Sequence, residues 1–185
     1  RQGYRREELT VGIVGANIFA VVLLFPLAAG GIWLYLAKNG SFSFDFGSLG
    51  LLWILATFAV LIVVHELIHG ASWAIFAEHR WKDIEFGFMK QYLTPYCTCG
   101  VPLAKGQYIF GALMPLVVLG LVPMLLGVLC GSMFLLLLGV LMADSAAGDI
   151  LIVWKILRYK SRAAEVVYID HPTQAGGVIF ERGSA

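Results

Sequence analysis

The sequence predicts an all-α membrane protein: a bundle of four transmembrane helices with a small cytoplasmic β-hairpin between the second and third helices. Two observations predict this class. Of the 185 residues, 59% are hydrophobic and only 14% are charged, whereas soluble domains carry about 25% charged residues. Four stretches are also at least as long as the roughly 20 apolar residues that a helix needs to cross a bilayer.

The four predicted spans comprise residues 9–37, 49–77, 108–129 and 133–157. The first is too long for a cleaved signal peptide, and the "LAKNG" that follows it is no small-residue cleavage site. In the third span, two prolines and three glycines predict a kinked helix that packs closely against its neighbours. These residues are Gly111, Pro115, Gly120, Pro123 and Gly127.

The distribution of positive charge predicts the orientation of the spans. Lys and Arg are concentrated at the amino end, in the loop 78–106 and after the fourth span. By the positive-inside rule, that loop and both termini face the cytoplasm of a multi-pass protein of the cell membrane. We divide the chain into a single transmembrane domain, residues 1–162, and a cytoplasmic C-terminal tail, residues 163–185.

Two loops have the composition of short strands. Between the second and third spans, "DIEFGFM" and "QYLTPYCT" predict a hairpin over residues 83–98. The first loop, "KNGSFSFDFGS", alternates polar and aromatic residues, which predicts either a short strand or an interfacial aromatic loop. Cys97 and Cys99 in "PYCTCG" are closer together than the usual structural zinc pair, and we interpret their segment as a turn.

The stretch "VVHELIHGAS", residues 63–72, places two histidines and a glutamate inside the second span. Side chains four residues apart lie one above the other on a helix, so the imidazoles of His65 and His69 can converge on one ion. Imidazole suits zinc, and in H-E-x-x-H metallopeptidases the glutamate, here Glu66, is the general base rather than a ligand. The spacing therefore predicts a catalytic zinc site.

The alternative is a helix end whose polar side chains reach the membrane interface. Against it, "GASWAIFA" continues the apolar span after His69 for about two helical turns. Ionisable groups inside a bilayer are energetically costly and are usually functional. Metal binding would satisfy all three groups of the motif.

A catalytic zinc site usually takes a third protein ligand, and the fourth span offers Asp144 and Asp149. We prefer Asp149, because its depth of about six residues from Lys155 is compatible with the depth of His69. The two aspartates lie about 140° apart around a helix, so both cannot readily face one ion. Asp144 is then either a group that contacts the ligands or the substrate, or the N-cap of a helix that restarts at "DSAAG".

Three other polar residues are weaker candidates. Asn17 in the first span serves helix packing or, alternatively, lies near the site. His79 is expected at the membrane interface. His171, in "IDHPTQAGG", is expected in a turn, with a reach back to the metal as the alternative.

The motifs resemble those of known proteins. An H-E-x-x-H motif within a span, an aspartate in a later span and a hairpin between them resemble the site-2 protease class of intramembrane zinc metallopeptidases. More closely, "HELIHG", "YCTCGVPLAKGQYIFGALMPLVVLG", "SAAGD" and "DHPTQAGG" are similar to a bacterial family of small four-span proteins described as zincin peptidases. The resemblance implies a metallopeptidase-like domain in which His65, His69 and Asp149 bind Zn²⁺ and Glu66 is the base.

We therefore expect a membrane-embedded zinc metallopeptidase that hydrolyses peptide bonds in or near the bilayer. Its expected partners are a membrane protein or peptide substrate and the surrounding lipid, with no nucleic acid. One alternative is a non-proteolytic zinc-binding chaperone or regulator, against which an intact Glu66 argues. The other is a small metal or ion transporter, against which the absence of an inverted repeat argues.

The C-terminal tail has strand-like composition in "DHPTQAGGVIFE". One hypothesis is that it lies as an extended strand across the active cleft and gates it. The alternative is a flexible tail with no role at the site.

Overall fold

The structure is a computed structural model that describes residues 4–41, 50–90, 94–171 and 176–183. It is 65% helical, with five helices, and about 20% of it forms strands in two antiparallel sheets. The predicted all-α four-helix bundle is therefore wrong. The aromatic part of the first loop, residues 42–49, lies outside the described residues, so the prediction for that loop is untested.

The five helices are α1 (Ile13–Asn39), α2 (Gly50–Ala74), α3 (Lys105–Cys130), α4 (Met133–Ser145) and α5 (Ala147–Arg158). Three of them, α1 to α3, are long and apolar enough to cross a membrane. The predicted fourth span is broken at Ala146 into α4 and α5, which are bent by 47° relative to each other. The described helices thus include three candidate spans, or up to four if the bent pair forms one span.

Helix α3 is irregular in its middle, as its prolines predict. The segment Leu116–Leu121 is a π-helix, and it lies between Pro115 and Pro123. Proline has no backbone N–H and its ring clashes with the preceding turn, so a regular α-helix cannot continue unchanged through it. A wider π turn is one way in which a helix accommodates such a break.

Helices α3 and α4 approach each other backbone to backbone. A Cβ atom on Gly127 would lie 2.5 Å from the backbone nitrogen of Leu136, and one on Gly139 would lie 2.5 Å from that of Met124. A Cβ on Gly120 would lie 2.9 Å from the Cα of Ala143. Small residues permit this close approach of membrane helices, and the predicted close packing of the third span is confirmed.

The five strands are β1 (Tyr4–Thr10), β2 (Ile84–Met89), β3 (Thr94–Cys99), β4 (Glu165–Asp170) and β5 (Gly176–Arg182). Strands β2 and β3 form the predicted hairpin as a two-stranded sheet, and the other three form a sheet in the order β1-β5-β4. Cys97 and Cys99 consequently lie on a strand, and the prediction of a turn there is wrong. Leu9, the predicted first residue of a span, belongs to β1.

The three-stranded sheet was missed for a physical reason. Strand β1 has the polar sequence "YRREELT", and it pairs with β5, which lies at the other end of the chain. Polar strands that pair over such a separation leave no local periodicity from which the pairing can be predicted. The apolar composition, which is that of membrane helices, also directs the prediction towards an all-α fold.

Both sheets lie at the same end of the helices. Strand β1 leads directly into α1, α2 is followed by β2, β3 by α3, and α5 by β4. Tyr168 and Ile179 from the second sheet are buried in one core with Trp73, Tyr108 and Ile156 from the helices. The segment after residue 162 is thus packed against the helical part.

Replacing Gly139 with Ala should destabilise the protein. The added methyl group would meet the backbone of α3 at 2.5 Å, which no side-chain rotation can relieve, and overpacking of this kind costs about 1–3 kcal/mol. Gly30→Ala is the matched control, because nothing lies within 4 Å of its Cβ position and alanine favours a helix by up to ~1 kcal/mol.

Thermal midpoints in one detergent measure both effects. We expect Gly139→Ala to unfold at a lower temperature than the wild type and Gly30→Ala to unfold at an equal or higher temperature. Equal midpoints for the two variants would show that α3 and α4 are not in backbone contact.

Candidate metal centre

The histidines of the H-E-x-x-H motif and Asp149 come together at the sheet end of the helices. His65 and His69 are buried on α2, with 6% and 4% of their surfaces exposed. Asp149 is half-buried in the first turn of α5. Nε2 of His65 lies 3.2 Å from Oδ2 of Asp149, and Nε2 of His69 lies 3.5 Å from Oδ1.

The two histidine-to-aspartate separations are compatible with zinc ligation, and the shorter one is also that of a hydrogen bond. Ligand atoms on tetrahedral bonds of 2.0–2.1 Å are ~3.3 Å apart, which is close to the two observed distances. Two imidazole nitrogens and a carboxylate oxygen are also a donor set that zinc accepts in catalytic sites. Among the described residues, His65, His69 and Asp149 are the group of three side chains that could hold a metal ion, with their ligand atoms within 4.8 Å of one another.

The ring of His69 is held in the orientation that a ligand needs. Its Nδ1–H donates to the backbone oxygen of Gly111 over 2.9 Å, which leaves the unprotonated Nε2 facing Asp149. The ring also stacks on Trp73 at 5.1 Å between centroids. A hydrogen bond from the second nitrogen is the usual way in which proteins orient a metal-binding histidine.

A glycine is required at position 111 for packing. Its backbone oxygen accepts the hydrogen bond from His69, and the absence of a side chain leaves room for the indole of Trp73. A Cβ atom on Gly111 would lie 2.0 Å from Nε1 of Trp73. That nitrogen donates to the backbone oxygen of Tyr108 over 3.2 Å. Gly111 therefore allows α2 and α3 to pack closely enough to fix the stacked rings of His69 and Trp73.

The break between α4 and α5 separates the two candidate aspartates. Asp149 begins α5 and faces the histidines, whereas Asp144 lies in the last turn of α4 and is not among the described residues that line the cavity. Oδ1 of Asp144 is buried without a hydrogen-bond partner among the described residues. Ala146, not Asp144, is the N-cap of α5, so the N-cap interpretation is wrong.

The remaining sequence candidates are not part of the group of three possible metal ligands. Asn17 is exposed on α1 and is not among the described residues that line the cavity. Nδ1 of the exposed His79 lies 3.3 Å from Oδ1 of Asp83. His171 is buried and lines the cavity, but it is not one of the three residues that share the metal position.

A cavity of about 300 Å³ opens beside the three residues. Glu66 lies in its wall, next to His65 on α2, and the other walls come from β3, α3, α5 and the strands after residue 164. A second cavity of about 170 Å³ is lined by Ile62, Ser145 and, again, by Glu66. Both cavities have Glu66 in their lining, and we refer to the two together as the groove.

One edge of β3 faces this groove. In an antiparallel pair, the backbone groups of alternate residues point away from the partner strand. The N–H of Gly100 donates to the backbone oxygen of Asp83 over 2.9 Å, so the backbone groups of Gly100 point toward β2. Counting back along β3 in steps of two, the backbone groups of the odd-numbered residues Pro95 and Cys97 point away from β2. The N–H of Cys97 interacts with the Glu66 carboxylate.

Both cysteines of β3 have raised pKa values. Burial raises the pKa of the Cys97 thiol well above its usual value, and the Glu66 carboxylate raises it further. Burial also raises the pKa of Cys99. Cys97 is also not one of the three described residues whose ligand atoms come together.

Asp170 was missed by the sequence analysis, although it lines the cavity. Its carboxylate accepts hydrogen bonds from Oη of Tyr108 at 2.6 Å and from the N–H of Cys99 at 2.8 Å. Burial raises the pKa of Asp170 to about 6, although both hydrogen bonds act in the opposite direction. The signal in the sequence was the pair Asp170-His171, which follows a strand of apolar residues.

The fold and the site define the class: a helical protein with apolar helices long enough to cross a membrane and a buried His-His-Asp group beside a glutamate. The chain belongs to the family described as "Putative zincin peptidase", whose model matches residues 58–164, from α2 to beyond α5. This confirms the family that the sequence motifs predicted. No curated protein and no solved structure matched the chain, and the resemblance to site-2 proteases stays a prediction.

Replacing Asp170 with Asn should change how stability depends on pH. Folding raises the pKa of Asp170 from 3.8 to about 6, so the folded protein binds the proton more tightly than the unfolded chain. This contribution to stability is complete below about pH 4 and is lost as the pH rises through about 6, with a total of ~3 kcal/mol. Asn mimics the protonated carboxyl at every pH.

We therefore expect the thermal midpoint of the metal-free wild type to fall, relative to that of Asp170→Asn, between about pH 4.5 and about pH 7.5. Both proteins share the other titrating groups, so the difference between them reports Asp170. Glu165→Gln, an exposed change on the same strand, should show no such difference. A constant difference between wild type and Asp170→Asn across this range would show that Asp170 titrates as an ordinary exposed carboxyl.

Proposed function

We propose that this protein is a membrane-embedded zinc metallopeptidase that hydrolyses peptide bonds in or near the membrane. The observation that carries the proposal is the convergence of the His65, His69 and Asp149 ligand atoms beside Glu66 in one groove. Membership in a zincin peptidase family supports it. So do the apolar helices that carry the site.

In this proposal, His65, His69 and Asp149 hold the zinc ion, with the His69 ring fixed by Gly111. When bound, zinc acts as a Lewis acid that lowers the pKa of a coordinated water to about 7 and polarises the scissile carbonyl. Asp149 would neutralise one of the two positive charges of the ion, and the cavity beside the three residues would give water and substrate access to it.

Glu66 is the general base. It follows His65 directly, so its side chain leaves α2 on a different face from the two ligands and lies in the groove wall. There it can take the proton of the attacking water and then transfer it to the leaving amine. The Cys97 N–H, which interacts with the carboxylate, limits its motion. A protein that only holds a metal has no need of a carboxylate placed in this way.

The substrate has to be extended, because a helix hides its carbonyl groups. We propose that it adds to the outer edge of β3 as an antiparallel or parallel strand. Pro95 has no N–H and the Cys97 N–H contacts Glu66, so the groups that this edge offers are mainly carbonyl acceptors. The substrate then supplies the N–H groups of the pairing.

Cleavage should fall near one end of a substrate helix. His69 lies about five residues, or ~8 Å, from the sheet end of α2 at Ala74. If the positive-inside prediction holds, that end faces the cytoplasm, together with both termini. The protein would then release cytoplasmic segments of membrane proteins.

Replacing Glu66 with Gln should abolish cleavage and leave the metal in place. General-base catalysis contributes about 10²–10⁴-fold to the rate, whereas Gln retains the size of the side chain and leaves the three metal ligands unchanged. New peptide termini, identified by mass spectrometry after incubation of membrane proteins with each variant in proteoliposomes, measure the activity. Elemental analysis of the same samples measures the metal.

Glu85→Gln, on the exposed face of β2, is the matched control and should behave as the wild type. New termini that appear equally with wild type and Glu66→Gln would contradict the proposed role of Glu66. A wild type that holds zinc but produces no new termini would instead favour the non-proteolytic chaperone or regulator.

A further inference from the structure

The Asp170 carboxylate lies in the groove wall with no Lys or Arg side chain beside it among the described residues. Its two hydrogen-bond donors, Tyr108 Oη and Cys99 N–H, are both neutral. No ion pair joins it to a Lys or Arg among the described residues. A buried charge is normally paired, and the cavity that Asp170 lines gives a cationic side chain of a bound molecule a route to the carboxylate.

The groove has more carboxylates than Lys and Arg side chains among its described lining residues. Three carboxylates line the cavity, those of Glu66, Asp149 and Asp170, and no Lys or Arg is among the described lining residues. A bound zinc ion carries two positive charges, which balance Glu66 and Asp149. The remaining negative charge is that of Asp170, which is close enough to His69 and Asp149 to interact with them electrostatically.

The hydrogen bonds of Asp170 hold it in place but do not saturate it. A carboxylate has about four acceptor positions, and the described part of the chain fills two of them. The groove beside it is largely apolar, with Trp73, Ala112 and Ile152 in its walls. A long aliphatic stem that ends in a positive charge fits such a path, because Lys and Arg bury their methylene groups along apolar surface while the charged head reaches a polar group.

We propose that Asp170 is a specificity-determining residue that binds a Lys or Arg side chain of the substrate. The inference rests on the proposed peptidase function and specifies its substrates: polypeptides whose cleaved segment is flanked by a basic residue. Such residues are enriched on the cytoplasmic side of membrane helices, which is where the groove is expected to lie. Asp170 would thus direct cleavage to the end of a substrate's membrane helix, where basic residues lie, rather than to its apolar centre.

The test is a binding measurement, which does not depend on turnover. Fluorescent peptides with an apolar stretch and a single Lys, placed at successive positions beside it, are titrated against the zinc-loaded protein carrying Glu66→Asp. This change keeps the charge of the base and shortens its reach, and mass spectrometry checks that the peptides stay intact. The matched peptides carry Gln in place of Lys.

We expect one Lys position to bind at least ~10-fold more tightly than its Gln counterpart. Adding Asp170→Asn should remove this preference and leave the affinity for the Gln peptide unchanged, which also serves as the control for folding. Glu165→Gln, an exposed change on the same strand, should retain the full preference.

Equal affinity for every Lys and Gln pair in the protein with Asp170 intact would overturn the proposal. So would a Lys preference that persists after Asp170→Asn. If Asp170→Asn also loses its affinity for the Gln peptide, the variant Asp170→Glu, which keeps the negative charge, is measured instead. We expect Asp170→Glu to bind the Gln peptide and to retain the preference for Lys. Binding of the Gln peptide without a preference for Lys would overturn the proposal.

Failure of this inference is distinguishable from failure of the peptidase function. New peptide termini that depend on Glu66, with no preference for Lys at any position, would leave the peptidase and remove the role of Asp170. Peptides bound with a Lys preference that depends on Asp170, without cleavage by the wild type, would support the recognition site and contradict the peptidase.

Discussion

The arrangement of the site depends on the close approach of two imidazole rings and one carboxylate in the interior of an apolar helical protein. His65 and His69 present Nε2 to the two oxygens of Asp149 over 3.2 and 3.5 Å. Ionisable groups in such surroundings are expensive to bury unless they neutralise one another or bind a metal. The helix packing, the break before α5 and the position of the hairpin all serve to bring these groups together.

Close backbone contacts make that meeting possible. Gly111 lets the Trp73 indole lie against α3, so that the Gly111 carbonyl can hold His69. Gly70 does the same on the other side of α2, since a Cβ there would lie 2.6 Å from the Phe86 ring and 3.2 Å from the sulfur of Cys97. Helix α2 is therefore packed closely between α3 and the hairpin. This packing places the outer edge of β3 beside Glu66.

The sequence predicted the parts of this arrangement that depend on local spacing. The i, i+4 histidines, the adjacent Glu66 and the choice of Asp149 follow from helix geometry and depth, and the structure places these residues together. The three-stranded sheet did not follow, because β1 and β5 pair across almost the whole chain. Asp170 was missed with it, since its place in the groove depends on that sheet and on a hydrogen bond from Tyr108.

The most direct test of the account is the zinc content of the purified protein, measured by elemental analysis for the wild type, Asp149→Ala and Asp144→Ala. The account predicts nearly one zinc ion per chain in the wild type and in Asp144→Ala, and a large loss in Asp149→Ala, because Asp149 alone of the two aspartates faces the histidines. Folded wild-type protein without zinc, or zinc that is lost with Asp144 and retained without Asp149, would contradict it.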